Sequence, residues 1–470
     1  MRHAQSAQIA VIGGGPGGLM ASLAASKAGA QVTLIDAYPQ LGGQYYRQSP
    51  EWMSDITPHQ RQGQGLIQQV IEAGVTVLSD TLVWQASPDK ALACIHQDES
   101  FQLQAQAVIL ATGTYELPVP FPGWTLPGVM LTGGAQAMLY QHVLPGKRVL
   151  LAGTGPLQLV VAAKLVRAGA QVVGVLEGAP LLKKGMRHAT TMWGQWERLS
   201  EGLSSYLTLV SHGVQYRLGW GILEAKGRAQ VESVRIARWD GDWRPIAGSE
   251  QEINCDTLCM GYGLVPFSSL TQMMGANHEY RPDLGGVVPA RSDCVETTLA
   301  GVYAVGDGSG IGGVYSSQIE GQIAGLAAAA GLGYRMEAAQ AAIDRLRPAL
   351  DRERAFQRMY ADLFTPGPGI YELARDDTLI CRCEGVTLAK LRQTVARGAT
   401  SVMEVKNASR CGMGECQGRM CGSFLTHYLA HQLGKSLQEV GSLRIRPPVF
   451  PVPIQALVGL ETVDESALPA

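Results

Sequence analysis

No stretch of this 470-residue chain offers the roughly 18 uninterrupted apolar residues of a membrane-spanning helix; Gln158, Lys164, Gln318 and Glu320 break its most apolar segments. Membrane association is therefore expected to be peripheral at most, or made through a partner. Charge is scarce too. Only 17% of residues are charged and the formal net charge is −2, which excludes the clustered Lys and Arg surface that nucleic acid or an anionic membrane requires. A convincing secretory signal is also missing: Met1–Ala30 has Arg2, an apolar run and small residues, but a glycine-rich turn inside it explains the run better. These absences leave a cytoplasmic globular protein whose partners are small molecules or other proteins. With 46% hydrophobic residues it has material for about two to four domain cores.

What the chain does have is a concentration of thiols. Five of its nine cysteines fall between 381 and 421, as Cys381-x-Cys383 and then Cys411-x4-Cys416-x4-Cys421, with glycines among the last three. Short loops carrying several thiols let the sulfurs converge, and glycines let backbone N–H groups approach an anionic cluster. The pattern reads as an iron–sulfur site. A structural zinc stays open, although C-x2-C knuckles are the commoner zinc spacing. Disulfides are the weakest reading, since a chain this long needs no staples. Cys94, Cys255, Cys259 and Cys294 are scattered and expected to pack as small hydrophobes.

Two segments read as strand, glycine turn, helix, strand. In residues 8–36, Gly13, Gly15 and Gly18 occupy the G-x-G-x-x-G positions and Asp36 ends the second strand. Gly13 permits the tight turn, Gly15 the approach of a pyrophosphate, Gly18 close helix–strand packing, and Asp36 accepts from ribose hydroxyls. The second copy begins at Lys147, with Gly153 and Gly155 in the first two glycine positions, Gln158 in the third, and Glu177 ending its strand. Glu177 would repel a 2′-phosphate, which disfavours NADP. Lys183, Lys184 and Arg187 follow, either to bind further phosphates or as a solvated basic loop.

VILATGTYELP (108–118) and LAGVYAVGDGSG (299–310) are apolar strands entering small-residue turns. With the first fingerprint they resemble the FAD signatures of two-dinucleotide-domain, thioredoxin-reductase-like flavoproteins. The resemblance implies an FAD site holding Gly13, Gly15, Pro16, Gly18, Asp36, Gly43 and Gln44. Thr112 and Gly113 would pass near the FAD, and Asp307, after Gly306, would bind its ribityl or phosphate oxygens unless it merely caps a turn. Ser317 and Gln318 would lie at a helix N-terminus facing the flavin. Relatives of that class pass electrons through a redox disulfide. Here LGGQYYRQ (41–48) contains no cysteine and the second nucleotide segment has no C-x-x-C, so disulfide reduction is not expected.

Residues 336–364 are rich in Ala, Arg and Glu, which predicts a helical connector broken at Pro348 and ended by TPGPG (365–369). After it come CRCEGVT, a helix from Thr387 as N-cap to Gly398, a strand-like SVMEV, and the cysteine loop entering a helix toward Gly434. Arg382, Arg410 and Arg419 either help hold an anionic cluster or are solvated. The C-R-C-E-x-V-T start and G-M-G-x-C-Q-G-R-x-C ending resemble the bacterioferritin-associated-ferredoxin-like [2Fe–2S] domain. With FPGWTLPGVM (121–130) and the RPPVFPVP tail (446–453), the whole chain resembles the FAD-containing α subunits of hydrogen cyanide synthase, opine oxidases and hydroxyproline or dye-linked proline dehydrogenases.

That resemblance implies an α/β fold: a discontinuous FAD domain (1–135 and 262–335), a second nucleotide-binding domain (136–261), a connector (336–375), a [2Fe–2S] domain (376–435) and a Pro-containing tail (436–470). It implies that Cys381, Cys383, Cys416 and Cys421 ligate the cluster, with Cys411 a fifth thiol, and that this chain carries no catalytic acid or base. Amine oxidation would take place on a partner β subunit of the amine-oxidase type, itself FAD-dependent. Further candidates are an FMN shared with that partner, a nucleotide bound through Gly153, Gly155 and Glu177, and a small ferredoxin-like subunit. Two alternatives remain: an NADH-dependent FAD/iron–sulfur reductase, and a scaffold subunit with vestigial cofactors.

Overall fold

The computed structural model describes residues 5–48, 58–192 and 195–458. The chain divides into two compact units, Met1–Thr114 with Pro266–Arg354 and Ile445–Ala470, and Tyr115–Val265 with Ala355–Arg444. The described residues after Arg444 thus belong to the unit that opens the chain. Among the described residues no helix is long and apolar enough to cross a membrane.

In the first unit, strand Gln5–Ile12 pairs in parallel with Val32–Ile35 on one side and Glu99–Leu110 on the other. Ile9, Ala10 and Val11 have no exposed surface, as expected of a central parallel strand covered on both faces. Glu99–Leu110 carries two further partners along its length: its first half pairs antiparallel with Ala91–His96, and Val108–Leu110 pairs in parallel with Val302–Ala304. Helices Pro16–Ala28 and Gly313–Gly331 cross on one face of this sheet through small residues. A Cβ on Gly321 would lie 2.1 Å from the Gly17 carbonyl oxygen, and one on Gly325 2.3 Å from that of Ala21. The opposite face is closed by the last described segment of the chain: Val449 N–H donates to Trp84 O at 3.0 Å, and Phe450 stacks on Phe267.

The second unit contains a parallel sheet in the order Tyr216–Leu218, Gln171–Glu177, Arg148–Gly153, Thr257–Gly261, Val129–Leu131. A three-stranded antiparallel sheet of Trp220–Lys226, Ser233–Arg238 and Gln251–Asn254 accompanies it. Residues Leu379–Val440 form a small module with its own core of Ile380, Leu391, Val402, Val405, Phe424 and Leu425. Trp124 joins the module to the rest of this unit, its Nε1–H donating to Leu379 O at 2.7 Å.

Two sequence expectations are corrected here. SVMEV is not a strand; Val402–Ser409 is a helix. Ser401 and Glu404 form a reciprocal capping box, and Val402 and Val405, three apart, are both fully buried on one face. Pro348 does not break the connector, for Met336–Phe364 is a single helix with the proline inside it. Proline inside a helix costs about 3 kcal/mol, but Ala339, Ile343, Leu350, Met359 and Leu363 are all buried along it, and that burial outweighs the lost hydrogen bond. The predicted stop holds, with the helix ending at Phe364 before TPGPG.

Candidate functional site

The first nucleotide turn is built by exclusion of side chains. Gly13, at φ +106, would place a Cβ 2.3 Å from Ala111 O, and Gly18 would place one 1.8 Å from Gly13 O. The Pro16–Ala28 helix therefore starts directly against the end of the central strand. Its N-cap is Gly15 and no side chain caps it, which leaves backbone N–H groups and the positive end of the helix for a pyrophosphate. Asp36 accepts from the N–H of Gly14 and, at 2.7 Å, from that of Tyr38. Burial pushes its carboxyl above the usual range and those two N–H groups oppose the push.

The other predicted FAD residues gather around this turn. Gly43 lies against Gly15, where a Cβ would be 2.7 Å from the Gly15 Cα. Gln44 is exposed and accepts from Arg47. Thr112 donates to Phe267 O at 2.6 Å, and Gly113 O accepts from Phe267 N–H at 2.9 Å. A Cβ on Gly308 would meet Thr112 Oγ1 at 2.7 Å, and one on Gly306 would meet Ser317 Oγ at 2.9 Å. Gln318 donates to the Tyr46 hydroxyl at 2.8 Å. The half-buried Asp307 accepts through Oδ1 from Gly312 and Gly313, at 2.9 and 2.8 Å, and so orders the start of the Gly313–Gly331 helix. The glycine-lined turn, the uncapped helix and the acidic residue ending the second strand fit FAD.

Sequence reading missed Glu320 and Arg291. Glu320, 4% exposed, accepts from Gly306 N–H at 3.0 Å and from both Nη atoms of Arg291 at 3.0 and 3.2 Å. The pair fixes the Gly306–Ser309 turn. Glu320 lies in the SSQIEG stretch, but nothing local in the sequence marks Arg291 as its partner.

The second turn differs. Gly153 is pressed against Gly261, where a Cβ would lie 1.9 Å from the carbonyl oxygen. Glu177 has no exposed surface, and its carboxylate is occupied by its own fold. It accepts from Gly155 N–H at 3.0 Å, Gln158 Nε2 at 3.1 Å, Ala179 N–H at 2.9 Å and the Tyr216 hydroxyl at 3.4 Å. Gln158, in the third glycine position, has become the partner of the acid. The Tyr360 hydroxyl stands over Gly155, 2.8 Å from where a Cβ would be. Lys184 and His188 are engaged by Asp362, at 3.6 and 2.8 Å. Arg187 is exposed, and the Lys183 side chain lies outside the described residues.

In the small module, Cys381 ends strand Leu379–Cys381, and Cys383 lies in the turn to Val386–Thr387. Thr387 caps the Leu388–Ala396 helix, and Cys421 is the N-cap residue of Gly422–Leu433, which ends at Gly434 in the left-handed conformation. The sulfurs of Cys381, Cys411 and Cys421 all lie within 4.8 Å of one another. Hydrogen bonds from Cys411 and Cys421 hold the Cys381 thiol far below the ordinary thiol range, helped by the N–H groups of Gly412 and Glu384. Cys383 and Cys416 hydrogen-bond to each other, and the N–H groups of Met420 and Gly418 reach Cys416. Thiols with aimed backbone amides fit an iron–sulfur cluster. Of the three arginines, Arg410 pairs with Glu384 at 2.7 Å and Arg382 lies over the Trp124 ring. Arg419 is the half-buried one near Cys416 and Cys383, with desolvation lowering its pKa against their opposing charge. Of the scattered cysteines, Cys94, Cys255 and Cys259 are buried and Cys294 is partly so.

The family model described as pyridine nucleotide-disulphide oxidoreductase matches residues 7–344, and that of the sarcosine oxidase A3 domain matches residues 376–459. Hydrogen cyanide synthase subunit HcnB of Pseudomonas protegens is 32% identical over 464 residues, covering 95% of this chain and 96% of its own length. An opine oxidase subunit of Agrobacterium tumefaciens is 32% identical over 467 residues, covering 96% and 91%. The chain belongs to the family of HcnB and these opine oxidase subunits. This HcnB/opine oxidase homologue is therefore an oxidoreductase subunit with an FAD-binding domain, and its relatives are named as subunits of larger enzymes. Its fold is matched by L-proline dehydrogenase from P. horikoshii, with a TM-score of 0.71 over 97% of this chain and 80% of that one at 20% identity. Thioredoxin reductase of T. acidophilum matches with a TM-score of 0.52 over 69% of this chain and 98% of that one, so the fold class is as expected: thioredoxin-reductase-like, with two dinucleotide-binding domains and a small C-terminal domain.

Proposed function

We propose that the chain is the electron-transferring flavoprotein subunit of a heteromeric dehydrogenase that oxidises an amino acid or opine, with FAD in the Gly13–Gly18 turn and a [2Fe–2S] cluster on the cysteine module. The observation that supports this most is the presence, in one chain, of an FAD-type cradle and five gathered thiols, with no C-x-x-C to carry disulfide exchange. When bound, FAD handles electrons in pairs and the cluster handles them singly, so together they connect a two-electron oxidation to a one-electron acceptor. The part of the protein is to hold both groups: amides and a helix end toward the pyrophosphate, thiolates and amides toward the iron.

The substrate reaction is proposed to lie on a β subunit, as the relatives' names as subunits suggest. Purified alone, the chain is expected to contain FAD and about two irons, and to leave proline, hydroxyproline, glycine and opines unoxidised. Adding the proposed β subunit should restore dye reduction with one of these substrates and give a complex that co-elutes in gel filtration. Turnover by the chain alone at about one per second or faster would overturn the subunit reading. Stoichiometric zinc without iron would overturn the cluster.

The rival, an NADH-dependent reductase feeding the cluster, rests on the intact Gly153–Gly155 turn and on Glu177. The engaged carboxylate of Glu177 and the Tyr360 hydroxyl over Gly155 count against it, because the ribose acceptor and the phosphate approach that NADH needs are both taken up within the chain. In stopped-flow mixing, NADH is expected to bleach the flavin slowly and about as poorly as NADPH does. Bleaching within milliseconds by NADH alone would establish the reductase.

A further inference from the structure

Four thiolates satisfy a [2Fe–2S] centre, two on each iron, yet five are gathered here, in a group of three and a group of two. Cys381, Cys411 and Cys421 have mutually adjacent sulfurs and are 1%, 0% and 0% exposed. Cys383 and Cys416 hydrogen-bond to each other; the first is exposed and the second half-buried. Cys411 is placed as firmly as the rest. Its N–H donates to Ser409 Oγ at 3.1 Å, the preceding Arg410 turns at φ +69, and the following Gly412 turns at φ +87 against Leu443. Two left-handed positions, one on either side of the cysteine, fold the chain back so that its thiol enters the cluster of sulfurs.

We propose that Cys411 is a resident alternate ligand on the buried side of the cluster site. While Cys381 and Cys421 hold iron, its thiol hydrogen-bonds to their sulfurs; when either is displaced, Cys411 takes the vacated position. The exchange balances without electrons, because Cys411 gives up its proton on taking the iron and the departing sulfur takes one up. Cys383 and Cys416 have no such substitute, since the third sulfur sits with the other pair. The inference rests on the cluster reading above and makes the site unequal: tolerant at its buried end, fragile at its exposed end.

The test compares iron content and the electron paramagnetic resonance spectrum of the reduced cluster across variants of the full chain purified without oxygen. FAD content serves as the control for folding. Cys381→Ser and Cys421→Ser are each expected to keep near wild-type iron with altered g values. Cys383→Ser, Cys416→Ser and the double variant Cys411→Ala/Cys421→Ser are expected to fall to background iron with FAD retained. If Cys381→Ser and Cys421→Ser lose iron as completely as Cys383→Ser, the alternate-ligand role is wrong. Cys411→Ala gives an independent reading in an otherwise intact site. Loss of a hydrogen bond to cluster sulfur should make the reduction potential more negative, and an unchanged potential would overturn the proposal even if the serine variants do not fold. Wild-type protein without iron would instead remove the cluster reading itself.

Discussion

Gly18→Val is expected to yield a chain without FAD. Even the first carbon of the new side chain would lie 1.8 Å from Gly13 O and 3.3 Å from the Ala111 Cβ. Neither neighbour has room to yield. Gly13 is itself in the left-handed region and pressed against the carbonyl of Ala111, and its N–H is tied to Ile35 O at 2.8 Å. The helix must therefore withdraw from the strand, taking with it the N–H groups that would receive the pyrophosphate. Overpacking commonly costs about 1–3 kcal/mol and more against rigid backbone, and the stabilisation contributed by bound FAD is lost in addition. The measurable outcome is a protein with no visible flavin absorption and a lowered Tm. Iron should remain, because all five thiols belong to the other unit. Full flavin content at the wild-type Tm would refute this account of the turn.

Gly414→Val should have the opposite selectivity. A Cβ at 414 would lie 2.1 Å from the Cβ of Cys383 and 3.2 Å from its sulfur. A branched side chain there drives Cys383 away from Cys416, at the end of the site that has no spare thiol. The variant is expected to lose its iron and the broad visible absorption of the cluster while keeping FAD. Gly202→Ala is the matched control, since a Cβ there meets nothing within 4 Å; it should keep both cofactors. Retention of iron by Gly414→Val would show that Cys383 is not a ligand.

Much of the backbone of the candidate FAD turn was legible because its signals are local. A tight turn needs glycine at a fixed spacing, the following helix needs its apolar face, and Asp36 ends the next strand; the structure places them at Gln5–Ile12, Pro16–Ala28 and Val32–Ile35. Thr387 and Gly434 were likewise readable as helix limits from their own chemistry. Misreadings arose where two rules competed. In SVMEV, β-branched residues suggested a strand, but Ser401 and Glu404 cap a helix on which Val402 and Val405 share a face. At Pro348 a local breaker lost to burial on both sides of it. The inward position of Cys411 and the Arg291–Glu320 pair depend on the path of the chain through space, which spacing along the sequence does not encode.

The closing of the first sheet by Val449 and Phe450 has a consequence for how the protein comes into being. The strands that these residues cover leave the ribosome early, whereas their cover is among the last described segments to emerge. At about 5–20 residues per second, the apolar surface around Leu103, Leu270 and Met274 waits on the order of half a minute for its partner. Until then that face of the nascent unit is expected to be open to non-native association. A stop codon placed just beyond the cysteine module would leave it in that state permanently, so such truncations should aggregate even with every cofactor-binding residue named above still in place.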